Sequence, residues 1–287
     1  MLKQRVITAI VLLAVLLGTL LAPGPWPLVL LLTLMAACAL WEWLRLTWPS
    51  QPTLFPVVLA VIVAAGLLML SQSWLSPAPQ PWAIAFQLQL NRWLLPVVAL
   101  AWVVGATAMV VRGQASERRC GTWLSLFGIV AVVAVWAALV QLFLARGAWF
   151  LVSLMAFIWF ADIAAYFTGK ALGRHKLAPK VSPGKTWEGA VGGVLAAAAW
   201  IMASAYWPGS FGAVLLERWP WWVVLALSVF LAALSIVGDL FESLLKRRAQ
   251  VKDSSQLLPG HGGVYDRIDA LLPVAPIALL LTGVWLQ

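Results

Sequence analysis

The sequence predicts an all-α polytopic membrane protein with about nine transmembrane helices and a cytoplasmic N-terminus. The 287 residues are 63% hydrophobic and only 10% charged, with a mean hydropathy of +0.95. Apolar runs recur close to the roughly 20 residues that an α-helix needs to cross a hydrocarbon core. Lys and Arg concentrate in alternate loops, as the retention of basic residues on the cytoplasmic side requires. A soluble globular fold is excluded.

The elements follow in order. The first run, 6–21, comes after Lys3, Gln4 and Arg5 and resembles a signal peptide. Leu20, Leu21, Ala22 and Pro23 offer no small-x-small cleavage site, so it is read as a retained helix. Spans at 27–45 and 54–71 follow, then a loop from Gln72 to Arg92 broken by Pro77, Pro79 and Pro81, and spans at 93–111 and 122–144. Residues 1–150 thus form an N-terminal scaffold of five spans with almost no polar interior. Residues 151–287 form a second region of four spans, with helices at 147–168, 188–207, 220–238 and 268–286 and polar loops between them.

With the N-terminus inside, the inner segments collect Lys3, Arg5, Arg45, Arg112, Arg118, Arg119, Lys170, Arg174, Lys176, Lys180, Lys185, Lys246, Arg247, Arg248, Lys252 and Arg267. Only Arg92, Arg146 and Arg218 fall outside. One missed or invented helix would scramble that split. The net charge of +9 is accounted for by this asymmetry, and no nucleic-acid partner is expected. Cys38 lies in a span and Cys120 in a loop, so no disulfide is expected. Trp41, Trp43, Trp82, Trp93, Trp149, Trp207, Trp219, Trp221 and Trp222 lie near span ends, where indole rings favour the interface.

The acidic residues are the informative ones. Eight of ten fall between 162 and 269, at Asp162, Glu188, Glu217, Asp239, Glu242, Asp253, Asp266 and Asp269; Glu42 and Glu117 stand apart. A carboxylate near a bilayer is costly unless it meets a cation, a partner or water. Asp162 and Tyr166 share a helix face, with Gly169 and Gly173 permitting close backbone approach. The loop that follows carries Lys170, Arg174, Lys176, Lys180, Ser182, Lys185 and Thr186 before a helix opens at Trp187 and Glu188. It reads as a phosphate-binding edge or as a positive-inside loop against anionic headgroups. His175 reads as a surface or packing residue.

From Gly238 the chain runs GDLFESLLKRRAQVKDSSQLLPGHGGVYDRID to Asp269. Asp239, Glu242, Ser243 and Lys246 lie on one helix face. Pro259, Gly260, His261, Gly262 and Gly263 make a turn whose amides could meet an anion, and Asp266 and Asp269 open the last helix on a shared face. Hard oxygen ligands beside such a turn and several basic groups suit a divalent cation carrying a polyphosphate. Glu242 with Lys246 also fits a plain i,i+4 ion pair, and Asp266 with Arg267 a helix-start acid beside a snorkelling cation. His261 reads equally as a turn-organising hydrogen-bonder and as a substrate contact.

Ser243, Leu245, Lys246, Arg247, Lys252, Asp253, Ser255, Leu258, Pro259, His261, Gly262, Gly263, Asp266, Arg267 and Asp269 stand at the spacing of the phosphatidate cytidylyltransferase signature. The chain therefore resembles that family, also called the CDP-diacylglycerol synthases. Asp162, Tyr166, Gly169, Lys170, Ser182, Pro183, Lys185, Thr186 and Glu188 resemble its upstream run. Gly184 differs, since many relatives carry Lys there. The resemblance implies transfer of a cytidylyl group from CTP to phosphatidate with Mg2+ required, a bacterial inner-membrane location with the site facing the cytoplasm, and a homodimer. Under that reaction Asp239, Asp266 and Asp269 are the leading metal ligands, with Asp162 and Glu242 supporting them. Lys185, Lys246, Arg247, Lys252 and Arg267 grip phosphates, while Ser182, Thr186, His261, Gly262 and Gly263 contact the nucleotide. A CDP-alcohol phosphotransferase would need a compact Asp-Gly and Ala-Arg motif that the sequence lacks. A transporter would place its charges near the bilayer midplane.

Overall fold

The computed structural model describes residues 2–48, 54–113, 115 and 121–284. Arg118, Arg119 and Cys120 lie outside the described residues, as do the side chains of Lys3 and Arg5. Among the described residues, six helices are long and apolar enough to cross a membrane. They are α2 (Trp26–Thr47), α3 (Leu54–Trp74), α4 (Pro81–Arg112), α5 (Thr122–Leu172), α6 (Trp187–Ser204) and α8 (Trp221–Arg248). The other helices are α1 (Leu2–Leu20), α7 (Phe211–Arg218), α9 (Tyr265–Ile268) and α10 (Leu271–Thr282).

Helix α5 covers two of the expected spans. Its backbone breaks at Gly147, where φ is 81° and ψ −177°, in a region open to glycine because it lacks a Cβ. Helix α4 carries π-helical turns at Leu90–Leu94 and Ala101–Ala106 around Pro96, whose ring removes a helical donor. Within the first of these turns Asn91 donates to Gln141 of α5 at 2.7 Å and accepts from it at 3.0 Å. That exchange satisfies two buried amides among apolar helices.

The structure is not purely helical. An antiparallel hairpin, β1 (Lys176–Ala178) and β2 (Ser182–Thr186), pairs Lys176 with Thr186 and Ala178 with Ser182. It occupies the basic loop read as irregular, because strands of three and five residues holding Pro183 and Gly184 show no alternation to detect.

The aromatic core corrects one expectation. Trp82, Trp93, Trp149, Trp207, Trp221 and Trp222 are exposed, but Trp43 is fully buried. It packs against Trp102, Phe127, Phe241 and Tyr265 with ring centroids 5.1–6.3 Å away. Its indole N–H donates to Leu124 O at 2.8 Å, so burial leaves no orphaned donor. Gly128 on α5 leaves room for the ring, since a Cβ there would meet Trp43 Cε2 at 2.6 Å.

Two close helix approaches position everything that follows. Between α5 and α6, a Cβ on Gly189 would meet Ala165 O at 2.8 Å, and one on Gly193 would meet Ala161 O at 2.7 Å. Between α8 and the start of α10, a Cβ on Gly238 would meet Asp269 O at 2.5 Å and Pro273 Cγ at 3.0 Å. The first approach sets Asp162 beside α6, and the second brings Asp239 to Asp269. Small residues permit this in a bilayer, where close packing takes the place of a hydrophobic drive between helices.

Gly193→Val is expected to force α5 and α6 apart and to destabilise the protein by about 1–3 kcal/mol. Thermal unfolding in detergent checks this, and an unchanged midpoint would refute the contact.

Candidate active site

Helix α8 brings Asp239, Glu242 and Lys246 to one end of the bundle on a single face. One carboxylate oxygen each from Asp239, Glu242 and Asp269 lies within 4.8 Å of the others. Glu242 is buried, and its Oε2 accepts from Lys246 Nζ at 2.7 Å. Its other oxygen, Oε1, is buried with no hydrogen-bond partner among the described residues. A desolvated carboxylate oxygen without a donor is costly and is well suited to a cation. Three hard oxygen donors, two on α8 and one in the turn between α9 and α10, suit Mg2+ or Mn2+, leaving the other positions to water and phosphate oxygens.

Asp266 sits beyond Lys246 from this trio. Its carboxylate accepts from Lys246 Nζ at 2.8 Å, Ser254 N at 3.2 Å and Gly263 N at 2.7 Å, with Ser254 Oγ 3.1 Å away. Burial alone would raise its pKa. Hydrogen bonds from Lys246 Nζ and the Gly263 N–H outweigh burial and hold the carboxyl well below the usual range. Of the three leading ligands expected from sequence, the fold therefore joins Asp239 and Asp269 with Glu242 and gives Asp266 a full set of protein donors. Lys246 is held between two acids.

The upstream motif reaches the same place. A cleft of about 390 Å³ is lined by Asp162, Tyr166, Lys170, Gly184, Lys185, Thr186 and Asp239, among others. Lys185 forms an ion pair with Asp239, joining two regions more than fifty residues apart. Thr186 caps α6 by accepting from Gly189 N at 3.2 Å, and Ser182 pairs with Ala178 in the hairpin. Glu188 accepts from the amides of Arg174 and His175 and from His175 Nδ1 at 2.7 Å, securing the entry to the hairpin.

The other expected contacts are spread around this centre. Arg247 Nε donates to Val181 O at 3.3 Å, tying the end of α8 to the hairpin turn. Lys252 lines a different cleft with Trp41, Arg45 and Asp253. Arg267 donates to His261 O at 2.9 Å, while His261 Nδ1 is buried without a partner among the described residues. Gly262 has φ +83°, and a Cβ there would meet Asp266 Oδ2 at 2.5 Å. A Cβ on Gly263 would meet both Glu42 oxygens at 2.5 Å. The space these glycines leave is thus filled by carboxylates.

Glu42 and Ser254 were not anticipated. Glu42 is fully buried and accepts from Ser254 Oγ at 3.0 Å, Ser255 Oγ at 2.5 Å, Val264 N at 3.0 Å and Tyr265 N at 2.6 Å. The available signal was its isolation, since one acid inside an apolar span demands a partner. It stood apart from the acidic cluster in sequence and so was set aside.

Residues 3–285 match the model of a family described as the cytidylyltransferase family. The chain is 39% identical to a phosphatidate cytidylyltransferase of Pseudomonas aeruginosa, over 99% of each chain. It is 35% identical to one of Haemophilus influenzae, over 96% of each. A Staphylococcus aureus counterpart is 30% identical over 97% of this chain and 98% of its own. A family-model match over residues 3–285 and relatives matched almost end to end lead to one conclusion: the protein belongs to the cytidylyltransferase family.

Proposed function

We propose that the chain transfers the cytidylyl group of CTP to phosphatidate, giving CDP-diacylglycerol and pyrophosphate, as the names and full-length identity of its relatives support. The observation that carries the site assignment is the Asp239, Glu242 and Asp269 trio with its unpartnered Glu242 oxygen, beside the cleft that holds Lys185 and Asp162. A phosphatidate oxygen is already anionic and needs no protein nucleophile. It forms a bond to the α-phosphorus of CTP while the bond from that phosphorus to the bridging oxygen breaks and pyrophosphate leaves with the electron pair. The protein's task is alignment and neutralisation of developing charge.

Asp239, Glu242 and Asp269 would hold Mg2+, which supplies charge neutralisation on the phosphate oxygens when bound. Asp162 lines the cleft beside Asp239, where it can hold water or extend the ligand set. Lys185 and Lys170, in the same cleft, are assigned to phosphate oxygens. Lys246 and Asp266 hold the trio in place. His261, with its free Nδ1, is assigned to the substrate side of the turn.

The lipid half of the reaction is supported by a second cleft. An apolar groove of about 680 Å³ runs between α4, α6 and α8, lined by Val110, Val111, Val191, Val194, Ala233 and Val237, with Arg112 and Lys180 also on its wall. Leu177, Ala190 and Ile236 line both this groove and the acidic cleft. A lipid can therefore keep a chain in apolar surroundings with its phosphate beside the acids.

We assign the site to the cytoplasmic face of a bacterial inner membrane, in nine spans with the N-terminus on the same side. Thr8 of α1 donates to Pro259 O at 2.9 Å, which supports placing the start of α1 beside the signature turn. CTP is a cytosolic solute, so this side is the one from which it can bind. The assembly proposed is a homodimer, as the family resemblance implies.

Purified protein with Mg2+, CTP and phosphatidate is expected to release pyrophosphate, and to release essentially none without lipid. Asp239→Asn and Asp269→Asn should each lower turnover at least about 100-fold while keeping the detergent-solubilised protein folded. Near-normal rates would remove them from the cation site. Val194→Trp, which fills the groove, should lower the ratio of dioleoyl- to dioctanoyl-phosphatidate turnover by about ten-fold. An unchanged ratio would place the acyl chains elsewhere.

A further inference from the structure

Glu42 belongs to the N-terminal scaffold and touches none of the three carboxylates of the candidate cation site. Its four donors come from two segments, the hydroxyls of Ser254 and Ser255 and the amides of Val264 and Tyr265. A carboxylate offers about four lone-pair positions, so this set saturates it. All four donors lie within the stretch that delivers Asp266 and Asp269. The adjacent Trp43 packs on Tyr265 at 5.1 Å, fixing the same segment through its ring.

A chain of contacts leads from this carboxylate to the trio. Ser254 Oγ lies 3.0 Å from Glu42 Oε2 and 3.1 Å from Asp266 Oδ2. Asp266 binds Lys246 at 2.8 Å, and Lys246 binds Glu242 Oε2 at 2.7 Å. The approach is tight, since a Cβ on Gly263 would collide with both Glu42 oxygens. The segment that ends in Asp269 has no room to sit closer, and moving away would orphan two backbone amides and two hydroxyls.

We infer that Glu42 is a positioning residue for the cation site, setting the height of the 254–269 segment so that Asp269 meets Asp239 and Glu242. The inference rests on the cytidylyltransferase reading only for the reaction's identity, because its geometry needs no substrate. In Glu42→Gln the amide nitrogen replaces one oxygen, and whichever oxygen is lost, a donor then faces a backbone N–H, from Val264 or from Tyr265.

Hydrogen exchange and Mn2+ titration of the full-length protein in detergent test this without turnover. Glu42→Gln is expected to speed amide exchange in 254–269 and to weaken Mn2+ binding, each by about ten-fold or more, while the exchange of α5 and α6 stays as in the wild type. Exchange in 254–269 and Mn2+ affinity within twofold of the wild type would overturn the inference. Faster exchange throughout the bundle with unchanged Mn2+ affinity would also overturn it, as the signature of a merely structural residue. Should Glu42→Gln fail to fold, Ser255→Ala, which removes one donor, is expected to show the same local pattern to a smaller degree; wild-type Mn2+ affinity and exchange there would equally refute the role. A wild-type protein that binds Mn2+ yet releases no pyrophosphate would sink the reaction assigned above and leave the positioning role standing.

Discussion

Lys246 held between Glu242 and Asp266 is the interaction on which the rest of the site depends. Each acid lies within 2.8 Å of the ammonium, and Glu242 is almost completely removed from solvent. Two buried acids facing each other would be prohibitively unfavourable without that cation. With it, α8 is locked in register against the turn that carries Gly262 and Gly263, and Glu242 keeps one oxygen satisfied while the other stays open. Removing the lysine would leave both charges uncompensated, a larger penalty than the pair's own net contribution. The same economy extends outward, since Asp266 gathers Ser254 and Gly263, and Ser254 connects to Glu42.

The architecture answers a chemical problem of location. One substrate is a charged cytosolic solute and the other a lipid, so the reacting phosphates must meet at an interface. Apolar helices α4, α6 and α8 frame a groove, and the same α6 and α8 supply lining to the acidic cleft. The glycine contacts that bring α6 to α5, and α8 to the start of α10, set the distance between the two motif regions. The Lys185–Asp239 pair is the direct outcome of that packing.

Much of this was legible in the chain. The i, i+3, i+7 spacing of Asp239, Glu242 and Lys246 puts them on one helix face, and α8 presents them so. The upstream run and the signature were read as separate motifs, and their meeting at Lys185 and Asp239 is a tertiary fact that spacing cannot supply. Asp266 read as a metal ligand because it shares a face with Asp269. Sequence spacing is blind to the Ser254 and Gly263 amides that a turning loop brings to it. Glu42 stands far from the acidic cluster in sequence, and only the cost of an acid in an apolar helix points to its partners. Trp43 read as an interfacial residue because its position near a span end says nothing of which way the helix face points. The hairpin was hidden for a simpler reason, since short strands have no period, whereas the Gly147 break falls at the boundary read between the spans 122–144 and 147–168.

The central claim is that Asp239, Glu242 and Asp269 form a single divalent-cation site to which CTP brings its phosphates. Anomalous diffraction from crystals grown with Mn2+ and a non-hydrolysable CTP analogue tests it most directly. The account predicts a manganese peak in contact with carboxylate oxygens of all three residues, with analogue phosphate oxygens completing its coordination. A peak held by Asp266 in place of Glu242, or manganese bound away from the trio, would contradict it.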